Sequence, residues 1–94
     1  MKIEWSAAAL ADLDRFTEFL RDRQPALSAI VAREIIAKAT LLSDHPLLGR
    51  AIAGRNEYRQ VVLRVLNAPY VFQYRVRDDR LVLLRVFHGR ESRE

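Results

Sequence analysis

The sequence predicts an α+β fold: a short N-terminal strand, a two-helix hairpin, then a three-stranded antiparallel meander, with the helices packed on one face of the sheet. Three observations carry this reading. Apolar residues recur at helical spacing from Ala9 to Leu42. From Tyr58 onward the apolar period drops to two. The period-two segments are joined by turns short enough to make them antiparallel neighbours. At 94 residues the chain is expected to form one domain, residues 1–94. A chain of this size buries about 60–65% of its extended surface, which excludes a deep cleft between two domains.

Lys2 to Trp5 reads as the first strand, with Ile3 and Trp5 on one face. Ser6 has the character of a helix N-cap, since its hydroxyl can accept a first-turn N–H. Trp5 and Leu10 have the spacing of a hydrophobic staple. The first helix is expected from Ala7 to about Arg23, with Ala9, Leu13, Phe16 and Leu20 as its apolar stripe. Asp12, Asp14, Glu18 and Asp22 are expected mostly off that stripe. Gln24-Pro25 ends it, because proline disfavours helical geometry in the residue before it.

The second helix is expected from Pro25 or Ala26 to the Ser43-Asp44-His45-Pro46 stretch, with proline in its first turn. Leu27, Val31, Ile35 and Leu42, with Ala39 between them, line one side, and Glu34 and Lys38 form an i,i+4 pair. Ile30, Ile36 and Leu41 widen the apolar surface, so this helix is expected to be contacted on more than one side. Residues 46–56 hold a proline and two glycines and read as a loop. The meander then runs from Tyr58 to Leu66, through a turn at Asn67-Ala68-Pro69, along Tyr70 to Arg77, through a turn at Asp78-Asp79-Arg80, and along Leu81 to His88. One sheet face is expected to meet the helices and the other to show arginine and water.

Composition narrows the chemistry. There is no cysteine, which removes disulfides, cysteine-based zinc sites and thiol nucleophiles and fits a reducing compartment. No apolar run approaches the roughly 18 residues that span a bilayer, and Met1 to Trp5 lacks a signal-peptide core. A cytoplasmic protein without a membrane partner is therefore expected. Charge is uneven: residues 1–47 carry six Lys+Arg and seven Asp+Glu, residues 48–94 ten and five. Fourteen of the 16 cations are arginine, whose planar fork binds phosphate or carboxylate through two bonds. The second half should therefore seek a polyanion or an acidic protein segment; a merely solubilising surface accounts for the charge as well.

Asp12 and Asp14 point apart on a helix, and Asp78 and Asp79 suit a turn, so neither pair reads as an acid/base or metal site. Gly49 and Gly54 lack the ending of a phosphate loop, and no serine or threonine sits in a nucleophile elbow. No metal or cofactor is expected. His45, at a helix end, reads as structural. His88, at a strand end before Gly89-Arg90, reads either as a sheet-end pin or as a proton carrier. Arg59, Arg64, Arg75, Arg77, Arg85 and Arg90 form the main basic cluster. Strand parity does not put them all on one face, since Arg85 shares parity with Leu81 and Leu83. Such a surface suits RNA or an acidic segment that folds on docking.

Ile3-Glu4-Trp5-Ser6 before Ala9, Asp12 and Leu13, His45-Pro46-Leu47-Leu48-Gly49-Arg50, Arg59, Tyr70-Val71-Phe72-Gln73-Tyr74-Arg75 and Val86-Phe87-His88-Gly89-Arg90 occur in an order that resembles the ParE/RelE toxins of type II toxin–antitoxin modules. The resemblance covers nearly the whole chain. It implies a toxin of a plasmid-stabilisation type, wrapped by a cognate antitoxin in a hetero-oligomer. RelE-like members cut mRNA on the ribosome without a metal, using basic residues and a terminal Tyr or His. On that reading Arg59 and Arg75 would hold the phosphate and His88 would move the proton. ParE-like members lack that set and inhibit DNA gyrase. Here Gly89 follows His88, the tail contains no tyrosine, and lysine is scarce, so the ending looks more like the ParE branch. On that branch the expected antitoxin- or target-binding residues are Arg59, Arg64, Arg75, Arg85 and Arg90, with no catalytic residue. Ribosome and mRNA are the alternative target.

Overall fold

The computed structural model describes residues 1–91. In chain order it contains β1 (Lys2–Trp5), α1 (Ala7–Arg21), α2 (Pro25–Asp44), β2 (Arg50–Ile52), β3 (Arg55–Val65), β4 (Ala68–Arg77) and β5 (Arg80–His88). The strands form one sheet in the order β1-β5-β4-β3-β2. β1 runs parallel to β5, and the other pairs are antiparallel. The fold is thus the expected α+β arrangement, with two additions to the sheet: β1 docks beside the last strand, and β2 extends the far edge.

The helix boundaries follow local chemistry. Ser6 Oγ accepts the Ala9 N–H at 3.0 Å and donates to Leu84 O at 2.9 Å, so one hydroxyl caps α1 and ties it to β5. α1 stops at Arg21, two residues earlier than expected, where the Arg23 and Gln24 amides fold back onto Leu20 O at 3.1 and 2.7 Å. Pro25 opens α2, and Ser28 Oγ donates to Thr17 O at 2.9 Å, joining the two helices. Trp5 packs on the core, while Leu10, its expected staple partner, is half exposed. Glu34 and Lys38 make no ion pair among the described residues.

The core lies between the helices and one sheet face. Ala9, Val31, Ile35, Ala39 and Leu42 from the helices meet Val65, Tyr70, Phe72, Tyr74, Leu81, Leu83 and Val86. Each of the fully buried leucines of β5 contributes about 1.5–3 kcal/mol by leaving water. Register fixes the faces, because directly opposed residues point the same way. Arg59 pairs with Tyr74, Val61 with Phe72 and Leu63 with Tyr70, so these face the helices. Tyr58 pairs with Arg75, Gln60 with Gln73 and Val62 with Val71, so these take the open face.

Two expectations in this region are corrected. Residues 46–56 are not all loop: β2 and β3 form a hairpin around Ala53-Gly54, both at positive φ (52° and 75°), which suits a two-residue turn. The next turn is not Asn67-Ala68-Pro69 but Leu66-Asn67, with φ of 52° and 68°, and Ala68 pairs with Val65. Among the described residues no helix is long and apolar enough to cross a membrane.

Candidate functional site

β1 ends at Trp5, so β5 beyond Leu83 has an uncovered edge. At that point β5 also carries a bulge: Tyr74 pairs with Leu83 but Gln73 pairs with Arg85, leaving Leu84 as the extra residue. The bulge moves Arg85 and Phe87 to the open face and Val86 and His88 to the helix face. The parity that grouped Arg85 with Leu81 and Leu83 is broken there.

Asp12 closes the exposed edge. Its carboxylate is 1% exposed. It accepts the Val86 N–H at 2.8 Å, Arg85 Nε and Nη2 at 2.8 and 2.9 Å, and Arg15 Nη1 at 2.6 Å. The expectation that Asp12 lies off the apolar stripe is therefore overturned. Burial pushes its carboxyl up, but the hydrogen bonds from Arg85, Arg15 and Val86 outweigh that and hold it below the ordinary value of 3.8. Arg15 extends the network to Glu91, with Nε and Nη2 each 3.1 Å from its carboxylate. Glu91 in turn accepts the His88 N–H at 2.7 Å.

A groove of about 400 Å³ lies beside this network, lined by Arg15, Phe16, Phe19, Leu20, Tyr70, His88 and Glu91. The His88 ring sits 5.0 Å from the Tyr70 ring, edge to face, and its Nδ1 accepts the Arg90 N–H at 3.1 Å. Phe16 packs on Tyr70 from the other helix-facing side at 5.2 Å. Burial, with the Glu91 carboxylate adding to it, pushes the Tyr70 phenol up, so it resists ionising. Phe19 stays 68% exposed, and Ile30, Ile36, Leu41, Leu47 and Leu48 are exposed on α2 and the segment after it. Arg23 lies 5.6 Å over the Phe19 ring, and the other apolar residues are partly open to solvent.

At the opposite end of the sheet Tyr74 organises the segment before β2. Its hydroxyl accepts the Gly49 N–H and donates to Pro46 O, both at 2.8 Å. A Cβ on Gly49 would stand 2.8 Å from both Gln60 O and the Tyr74 hydroxyl, so only glycine fits this approach. Arg59 Nη1 donates to Gly49 O at 2.7 Å, and its Nε is buried without an acceptor among the described residues.

The basic cluster is divided. Arg59 faces the helices; Arg64, Arg75, Arg77 and Arg85 face the open side. Lys2 and Arg80, opposed across β1 and β5, and Arg50, opposed to Gln60, join that side. Arg75 Nε pairs with Glu57 at 2.7 Å, Arg80 with Glu4 at 3.0 Å, and Arg64 Nη1 donates to Asn67 O at 2.6 Å. Arg90 lies exposed beyond β5. Arg59, Arg75 and His88 do not converge. Arg75 is on the other face, and His88 and Arg59 oppose Tyr70 and Tyr74, about 14 Å apart along β4 at roughly 3.4 Å per residue. Among the described residues no three His, Asp or Glu side chains cluster as metal ligands would. Asp12, Gly49 and Tyr74 carry part of the family resemblance in the sequence, but the pattern assigned them no role in the site. For Asp12 a signal existed, since it lies three residues after Ala9 and four before Phe16.

The chain matches the family described as the ParE toxin of the type II toxin–antitoxin system parDE over residues 3–93. It is 30% identical over 91 residues to Toxin RelE3 of Caulobacter vibrioides, covering 97% of each chain. Its fold is similar to a chain of the chromosomal ParDE system from P. aeruginosa (TM-score 0.72, 21% identity, 94% and 95% of the two chains). It is also similar to the conserved protein HP0894 of Helicobacter pylori (TM-score 0.59, 22% identity, 97% of each chain).

Proposed function

The chain belongs to the ParE toxin family of type II toxin–antitoxin systems, and on that premise we propose that it acts by occupying DNA gyrase, stalling it with cleaved DNA, without bond chemistry of its own. One observation carries this reading: the residues an RNA-cutting mechanism would need are dispersed. A phosphate held by Arg75 on the open face is out of reach of His88 on the helix face. General acid/base transfer needs the carrier within about 2.6–3.2 Å of the proton, or one water away. His88 instead packs on Tyr70 and accepts the Arg90 N–H, which suits a pin at the sheet's end. The work is then surface complementarity, with arginine side chains as anchors.

A cognate antitoxin neutralises the toxin by docking an amphipathic element on the apolar side. The groove between α1 and the β4–β5 end offers Phe16, Phe19, Leu20 and Tyr70 to an apolar stripe. Arg90, exposed just beyond β5, offers charge to acidic residues, so a toxin–antitoxin hetero-oligomer follows.

The similarity to a toxin named RelE3 supports a second reading, a metal-independent endonuclease acting on mRNA in the ribosome. Under it Arg59 and Arg75 would offset transition-state charge and His88 would shuttle the proton. Two assays separate the readings. Purified toxin that abolishes supercoiling by gyrase and leaves ribosome-bound mRNA intact supports the first. Codon-dependent mRNA cleavage that disappears in His88→Ala would establish the second.

A further inference from the structure

We infer that the open sheet face is a duplex-DNA contact surface, gripping phosphates without reading sequence, so that the toxin touches the DNA in the gyrase complex as well as the enzyme. This deepens the gyrase reading but rests on different residues from the antitoxin groove. Strand register brings Lys2, Arg50, Arg64 and Arg77 onto one face from four different strands. All four are exposed, and none has a carboxylate partner among the described residues. The acids on this side are Glu4 and Glu57, taken up by Arg80 and Arg75, and Asp78 and Asp79 of the β4–β5 turn, which lie at one end beside Arg77 and Lys2. What remains is a positive excess on this face, offset in part by Asp78 and Asp79 at the β4–β5 turn and fully open at Arg50 and Arg64.

Three classes of polyanion could meet such a field, and the surroundings favour one. An acidic protein segment that folds on docking needs apolar pockets beside the charge. The exposed apolar residues concentrate on the helices and the segment after α2, with Val62 the open-face exception. Single-stranded RNA is held by bases stacked on open aromatic rings. The two rings that register assigns to this face are already overlaid by guanidinium groups. Arg55 lies 4.4 Å and Arg75 5.5 Å over Tyr58, and Arg85 lies 4.6 Å over Phe87. Guanidinium groups without free rings suit the outside of a duplex, where bases are stacked internally and phosphates supply the affinity.

The test is a fluorescence-anisotropy titration of the purified full chain with a labelled duplex, a single-stranded RNA of equal length and a polyglutamate peptide, repeated across salt concentrations. If the four unpaired cations each meet a phosphate, log K should fall against log salt with a slope of about −3.6, at about −0.9 per contact. Raising salt fourfold then weakens duplex binding by roughly a hundredfold. The Arg50 and Arg77 side chains make no ion pair among the described residues, so Arg50→Ala/Arg77→Ala should fold normally, with antitoxin binding as the control. In that double variant the slope should become shallower by about 2. Tighter binding of the RNA or the peptide than of the duplex overturns the inference, as does an unchanged slope in the variant. Gyrase supercoiling blocked equally well by the double variant removes this inference and leaves the gyrase reading standing. Duplex binding with the steep slope but intact supercoiling supports the inference and removes the gyrase reading.

Discussion

Arg85 and Arg77 belong to the same sheet face and to adjacent strands, yet they live in different electrostatic worlds. Arg85 is locked at the bulged edge of β5 by two hydrogen bonds to the buried Asp12 carboxylate. Arg77 stands exposed at the end of β4 with no ion pair among the described residues. The difference shows that arginine count alone does not locate function. A guanidinium whose fork is filled by an internal carboxylate holds the fold together. One with an open fork is available to another macromolecule.

The sharpest way to break this contrast is Asp12→Ala. It leaves the buried Val86 N–H without an acceptor, which costs about 1–3 kcal/mol by itself. Arg85 and Arg15 keep about 40% of their side-chain surface in water, so losing their ion pairs adds little. A total loss of about 2–3 kcal/mol is expected, read by chemical denaturation. The same carboxylate sets an acid limit. Its folded pKa lies below 3.8, so its contribution is complete above the unfolded value and is lost as pH falls through the folded one. A pH series of unfolding midpoints should fall less steeply below about pH 4 in Asp12→Asn than in the parent.

Tyr74→Phe should come next, at about 1–3 kcal/mol, because the buried Gly49 N–H loses its partner. Gly49→Ala should cost a comparable amount, about 1–3 kcal/mol, since the added methyl overlaps Gln60 O and the Tyr74 hydroxyl. Arg77→Ala should change stability by no more than about 0.5 kcal/mol. That near-silence beside the Asp12 result is the contrast in its simplest form. One small effect has the opposite sign. Leu66 adopts φ 52° in a turn that favours asparagine, so Leu66→Asn should stabilise by about 0.5 kcal/mol.

Most of the architecture was legible in the residues themselves. Ser6 and Pro25 mark the starts of both helices because capping chemistry is local, and the shift of period at Tyr58 announces the sheet because alternation survives over long strands. β2 was not legible, since three residues are too few to show a period. The fate of Arg85 was not legible either. One extra residue, Leu84, reverses the parity of everything after it, and nothing local marks the bulge. Asp12 could have been found from its helical position between Ala9 and Phe16, but its charge argued for water. Only the uncovered edge of β5, created where β1 ends, explains why a carboxylate belongs there. Of the proposed contact residues, the fold separates Arg59 from Arg64, Arg75 and Arg85 because the register of β3 on β4 alternates their faces.

The most direct test is a gyrase supercoiling assay with purified toxin, run with and without excess antitoxin. Loss of supercoiling with accumulation of cleaved DNA is expected, with supercoiling restored by the antitoxin. Undiminished supercoiling at toxin concentrations that cut ribosome-bound mRNA would contradict the gyrase reading.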